Sequence, residues 1–193
     1  MIKALLIPFL LYGYFLLPPQ ETSKTPATEK LKQQARSLQV LAKKEHCSAR
    51  LGILIDMSIA SRKNRFFVVD LQNDSILVAG ICAQGQGNDV NREEVMFSNK
   101  AGSYCTSEGR YKLGAKFEGE YGTGYRLSGL DSTNSNAYKR DIVFHSYYKV
   151  SDQENANEVC RSNGCPMVSI RIFKATEKLI DAEDKPVLMW IYK

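Results

Sequence analysis

Cys160–Ser169 reads CRSNGCPMVS, two cysteines enclosing four residues, with the turn-forming pair Asn163-Gly164 directly before the second cysteine. Three roles are open to Cys165: half of a structural disulfide with Cys160, a metal ligand, or a nucleophile. The chain holds five cysteines (Cys47, Cys82, Cys105, Cys160, Cys165) and two histidines, His46 and His145. An odd number leaves at least one thiol free, or paired between chains, in an oxidising compartment. The cysteine separations include no CxxC, so the pattern does not indicate a structural zinc site.

A thiol nucleophile needs a base, a group that orients the base, and N–H donors aimed where negative charge develops. His145 is the one histidine in the body of the chain. It stands at the end of the apolar run Ile142-Val143-Phe144, 20 residues before Cys165. A strand end places a side chain on the rim of a sheet, where sites form. Gly164 permits the turn and removes bulk where a substrate carbonyl approaches. The backbone N–H groups of Asn163, Gly164 and Cys165 are the oxyanion donors on offer, since Pro166 has none. Ser162 is placed to hydrogen-bond the turn. Spacing alone leaves both the disulfide and the nucleophile open.

Outward from this stretch, the chain reads as one mainly β domain with peripheral helices. With 193 residues, 44% hydrophobic and 24% charged, it is long enough to bury a core without staples. LGILIDM, RFFVVDL and SILVAGICA are short apolar runs separated by turn-forming clusters, the last two joined as a hairpin by QND. Between residues 109 and 130, glycines alternate with Tyr, Phe and Leu, as in twisted, bulged strands. Gly122-x-Gly124 is not a phosphate loop, because no helical pattern follows it. A C-terminal helix is predicted over 170–182, with Ile172, Phe173, Thr176, Leu179 and Ile180 on one face. VLMWIYK then closes the chain as a buried strand.

The N-terminal part differs in character. Ala4 to Leu17 is a 14-residue apolar run after Lys3, interrupted by Pro8 and Gly13 and stopped by Pro18-Pro19. That is short of the ~20 residues a membrane-spanning helix needs, and its order is that of an export signal, with a retained anchor as the second reading. The expected organisation is a signal peptide or anchor over 1–20, a linker over 21–27, an amphipathic helix over 28–48 capped by Thr28, and the main domain over 49–193. Leu31, Ala35, Leu38 and Ala42 carry the helix's apolar face. The formal charge of +5 is concentrated before residue 49, and the body carries 19 basic groups against 18 acidic. No nucleic-acid footprint is visible there, and a basic membrane-proximal segment fits the charge better.

Residues 94–169 resemble the YkuD-like L,D-transpeptidase family, in its branch of murein L,D-transpeptidase catalytic domain family proteins. An ordered series carries the resemblance: Phe97-Ser98-Asn99 with Gly102-Ser103; Thr106 to Tyr111; Tyr125-Arg126-Leu127-x-Gly129-Leu130; Asn134 to Ala137 with Arg140; Ile142 to His145; and Ser162-x-Gly164-Cys165-Pro166. Ile55-Asp56-Met57-Ser58 and Arg65 to Leu71 extend it upstream. The resemblance implies an L,D-transpeptidase-like mixed β-sandwich in which Cys165 is acylated, His145 activates it and the Ser146 carbonyl orients the imidazole. The implied partners are peptidoglycan stem tetrapeptides, attacked at the L-centre carbonyl of the diamino acid with release of D-alanine. A stem amine then resolves the thioester to a 3–3 cross-link, while water would make the protein an L,D-carboxypeptidase. A non-catalytic peptidoglycan-binding envelope protein is the other reading.

No metal or organic cofactor is implied, because a thiolate–imidazolium pair supplies nucleophile and proton. The implied location is a bacterial periplasm or cell envelope. Asn134, Asn136 and Arg140 are candidates for binding stem carboxylates, although Asn-Ser-Asn is also ordinary loop chemistry. Two departures from the family pattern stand out: Gln84-Gly85 replaces a histidine–glycine pair, and Pro166-Met167 follows the cysteine, as is normal for this branch. Cys82 and Cys105 are either paired or free, and Cys160 is a candidate oxidation partner of Cys165.

Overall fold

The computed structural model describes residues 26–89, 94–155 and 160–193. The apolar N-terminal run lies outside them. No described helix is long and apolar enough to cross a membrane.

Helix α1 (Pro26–Lys44) begins two residues ahead of the expected Thr28 cap, so it takes up the end of the expected linker. Proline is tolerated in a first helical turn, where its missing N–H would have no intrahelical partner. The helix stops where His46 turns left-handed (φ 54°) and the Cys47 N–H reaches back to the Ala42 carbonyl at 2.8 Å. That reach is a Schellman-type closure. Leu38 and Ala42 are fully buried against Leu54, Val69, Leu71 and Leu188.

The strands are β1 (Leu51–Asp56), β2 (Phe66–Asp70), β3 (Ser75–Gly80), β4 (Gln84–Gly85), β5 (Gly109–Gly119), β6 (Gly122–Gly129), β7 (Val143–Ser146), β8 (Arg161–Ser162), β9 (Met167–Val168) and β10 (Leu188–Tyr192). Helix α2 (Ile170–Asp181) separates β9 from β10. Among the described residues, eight strands form one sheet in the order β3-β2-β1-β10-β5-β6-β7-β9, and β4 and β8 form a small parallel pair. Alternation along the central strands sorts the two faces. Ile53, Ile55, Met189 and Ile191 enter the main core, while Leu54 and Leu188 point to α1. Gly52 allows that approach, because a Cβ there would meet Leu38 at 2.9 Å. On the other face, Ile172, Phe173 and Ile180 of α2 fill the core beneath Phe144 and Val168. The Ser169 hydroxyl caps α2 by accepting the Ile172 N–H at 3.2 Å, a contact worth about 1 kcal/mol.

The expected sandwich is a single sheet bent over on itself. Four strands separate β2 from β7, which in a flat sheet would put them roughly 24 Å apart at ~4.8 Å per strand. Yet the Phe66 and Phe144 rings stack with centroids 5.5 Å apart. Past β3, Ala83 donates its N–H to the Met167 carbonyl of β9 at 2.8 Å, so the two ends of the sheet meet. This closure gathers β7, β8 and β9 around one rim.

Candidate active site

β7 and β9 run parallel, with His145 opposite Met167 and Ser146 opposite Val168. Cys165 precedes Met167 by two residues, so this register brings the histidine and the cysteine to one place. β8 pairs with β4, Gln84 opposite Arg161 and Gly85 opposite Ser162, and holds the other end of the turn. Within the turn, the Ser162 hydroxyl accepts the Gly164 N–H at 3.1 Å and donates to the Cys165 carbonyl at 2.7 Å. Ser162 is thus the clamp of the turn, and the Gly164 N–H is already engaged.

Gly164 sits at φ 120°, a conformation that strains any L side chain. A Cβ there would lie 2.8 Å from both the Cys105 carbonyl and Ile142 Cδ1. The bulk that glycine removes would therefore strike the protein behind the turn, not a substrate in front of it.

Cys165, His145, Ser162 and Asn163 line a cleft of about 210 Å³. Tyr121, Tyr147, Arg161 and Met167 complete its wall. His145 is nearly buried, and its Nδ1 lies 2.9 Å from the Ser146 carbonyl. Because a carbonyl only accepts, Nδ1 carries the proton and Nε2 keeps the lone pair. The Tyr121 ring stacks on the imidazole at 5.4 Å, and Tyr147 meets Tyr121 edge-on at 5.5 Å. Tyr121 stands in the turn between β5 and β6, so that hairpin reaches over the histidine.

The Cys165 thiol faces the backbone, with the Val143 N–H at 3.5 Å and the Asp141 carbonyl at 3.7 Å from Sγ. Among the described residues, no hydrogen bond joins it to His145. Burial pushes the thiol above its ordinary value, and the Val143 N–H and the Arg140 charge pull it part of the way back. Burial also lowers His145, partly offset by its bond to Ser146. Both shifts favour the uncharged forms. The directions run toward a neutral thiol and a neutral imidazole, away from the thiolate–imidazolium pair that the resemblance implies. All five cysteines are free thiols here; Cys160 and Cys165 both pack on the small cluster around Met167.

The expected carboxylate binders lie elsewhere. Asn134 is fully buried, its Oδ1 accepting the Asp131 N–H at 2.9 Å and its Nδ2 donating to the Arg110 carbonyl at 2.8 Å. Asn136 ties to Asn99 through its backbone N–H at 3.0 Å and its Nδ2 at 3.1 Å. Arg140 donates from Nη1 to the Ser98 carbonyl (2.8 Å) and Ser107 Oγ (2.5 Å), and from Nη2 to the Cys105 carbonyl (2.8 Å). None of the three lines the cleft. Arg140 instead braces the loop on which the Cys165 turn rests. Gln84 is buried and accepts a hydrogen bond at 2.9 Å from Nη2 of the buried Arg65.

Sequence reasoning passed over Tyr121, Tyr147 and Arg161. The two tyrosines are brought in by tertiary structure alone. Arg161 had a signal in the sequence: it directly precedes Ser162.

A family model described as the L,D-transpeptidase catalytic domain matches residues 22–192. No curated protein shows a significant match. Among solved structures, an L,D-transpeptidase from Mycobacterium smegmatis is 14% identical, with 75% of this chain and 59% of that one covered at a TM-score of 0.43. An L,D-transpeptidase from Xylanimonas cellulosilytica is 13% identical, with 74% and 60% covered at 0.41. The helical cell shape determining protein of Campylobacter jejuni is 13% identical, with 86% and 55% covered at 0.46. The chain spans less than two thirds of the length of each.

Proposed function

This chain belongs to the L,D-transpeptidase catalytic domain family, and we propose that it transfers acyl groups between peptidoglycan stem peptides with Cys165 as nucleophile. One observation carries this reading. Cys165 and His145 line the same cleft, and the Ser146 carbonyl fixes the imidazole with its lone pair on Nε2.

The chemistry starts from neutral partners. When a stem tetrapeptide enters, the thiol turns from the Asp141 carbonyl toward the imidazole and gives its proton to Nε2. The sulfur attacks the L-centre carbonyl of the diamino acid, forming the C–S bond, and negative charge moves to the carbonyl oxygen. The Cys165 N–H is the donor in the turn best suited to that oxygen, because Ser162 holds the Gly164 N–H. Collapse breaks the C–N bond, and the imidazolium hands its proton to the departing D-alanine amine. The amine of a second stem then attacks the thioester, forms the new amide and releases the thiol, giving a 3–3 cross-link. Such substrates lie outside the cytoplasm, and the apolar N-terminal run of residues 4–17 serves as export signal or anchor in this scheme.

The test is product analysis. Purified protein is incubated with a stem tetrapeptide donor and a stem acceptor, and the products are separated and weighed. A dimer lighter than the two peptides by one D-alanine is expected, with its new bond at the L-centre. Release of D-alanine without a dimer would make water the acceptor, and unchanged peptides would refute the reading.

A further inference from the structure

We infer that Arg161 binds a carboxylate of the donor peptide, and so selects donors in which that group is free over donors in which it is amidated. The inference rests on the peptide-acyltransfer reading of the same cleft.

Position comes first. Among the described residues lining the Cys165 cleft, Arg161 is the one with a permanent charge, and none of them is a carboxylate. Its backbone is fixed by pairing with Gln84, one residue before the Ser162 clamp. The same turn therefore sets the cation and the nucleophile relative to each other. A guanidinium has five N–H donors in a flat fork, which leaves room for a bidentate carboxylate alongside contacts within the protein.

The field behind Arg161 has the same sign. Arg65 is fully buried, and its guanidinium donates to neutral oxygens: the Cys82 carbonyl at 2.9 and 2.7 Å, Gln84 Oε1 at 2.9 Å and the Ile59 carbonyl at 3.4 Å. Burial and the neighbouring Arg161 charge together bring Arg65 down to about 10. Arg65 does not line the cleft, but it senses the Arg161 charge, so the two guanidinium groups add to one positive potential on the Arg161 side of the cleft. A planar fork favours carboxylate geometry.

The cleft is small, about 210 Å³, so a carboxylate on Arg161 belongs to a residue beside the attacked bond. Two groups in the donor qualify: the terminal carboxylate of the leaving residue, and the second carboxylate of the diamino acid. Arg140, the candidate from sequence, does not line the cleft, whereas Arg161 does.

The test is calorimetric binding to the full chain carrying Cys165→Ala, which removes turnover. Three tetrapeptides are compared: all carboxylates free, the terminal carboxyl amidated, and the second carboxyl of the diamino acid amidated. One of the amides is expected to bind about tenfold more weakly or worse, as for loss of a charge-assisted contact, and which one it is identifies the group. With Arg161→Gln added, that amide and the free peptide should bind alike. Arg161→Lys, which keeps the charge without the fork, should retain part of the preference and serves if Arg161→Gln does not fold. Equal binding of all three peptides, or a preference that survives Arg161→Gln, would overturn the inference while the peptide-substrate reading stands. Failure of every peptide to bind would overturn both.

Discussion

Gly164 shows how much of the site hangs on one missing side chain. With φ at 120° and a virtual Cβ 2.8 Å from the Cys105 carbonyl, alanine must either strain the turn or push the 98–107 loop aside. Gly164→Ala is expected to lower unfolding stability by roughly 1–3 kcal/mol in urea titrations, and to depress activity by more than that loss explains. Cys165 itself makes a different kind of prediction. Burial raises its thiol and lowers His145, so the resting protein should alkylate slowly. The rate of iodoacetamide reaction should climb with pH only above the ordinary thiol value of about 8.5. An inflection well below that value would mean a preformed thiolate. Turnover needs His145 neutral to accept the proton. Because its folded value is lowered, activity on the acid side should persist below the ordinary histidine value of about 6.5 before it falls. Cys165, His145 and the Ser146 carbonyl were legible as a candidate constellation, through one family-like series of blocks, and the fold brings them to one cleft. Their protonation states were not, because burial is a property of the folded chain.

At the scale of elements, the brace beneath the turn matters as much as the turn. Arg140 is the last residue of a short 3₁₀ turn (Tyr138–Arg140) and spans to Ser98, Ser107 and Cys105. Arg140→Ala leaves the part-buried Cys105 carbonyl without its donor, while the Ser98 carbonyl keeps the Ser107 hydroxyl, at a cost of about 1–3 kcal/mol in stability. It also removes a positive charge that holds the Cys165 thiol down. The iodoacetamide inflection should therefore move to higher pH in Arg140→Ala, a shift that simple loosening of the loop would not produce. The sequence showed α2, the hairpin of β2 and β3, and the C-terminal strand, since each has enough residues to display a period. β4, β8 and β9 have two residues each, too few for any alternation to register. Those short strands hold the turn that carries Cys165, so the elements around the candidate site were the least legible.

For the whole molecule, the decisive feature is closure. The sheet brings β3 and β9 together through Ala83 and Met167, and packs Phe66 of β2 on Phe144 of β7. Phe144 is fully buried and also meets Phe173 of α2 at 5.1 Å. Phe144→Ala is expected to cost about 3–5 kcal/mol and, because His145 is the next residue, to lose activity before global unfolding, as circular dichroism and turnover measured together would show. A mainly β domain flanked by two helices could be read from local patterns. The folding-over could not, because it depends on contacts between segments some 80 residues apart in the chain.

The nucleophile can be tested on the intact protein by mass. After mixing with a stem tetrapeptide and quenching in acid, the chain should gain the mass of the tripeptide acyl group, located by fragmentation on Cys165, and Cys165→Ala should gain nothing. The same adduct on Cys165→Ala, or its location on another residue of the wild-type chain, would contradict the assignment of Cys165.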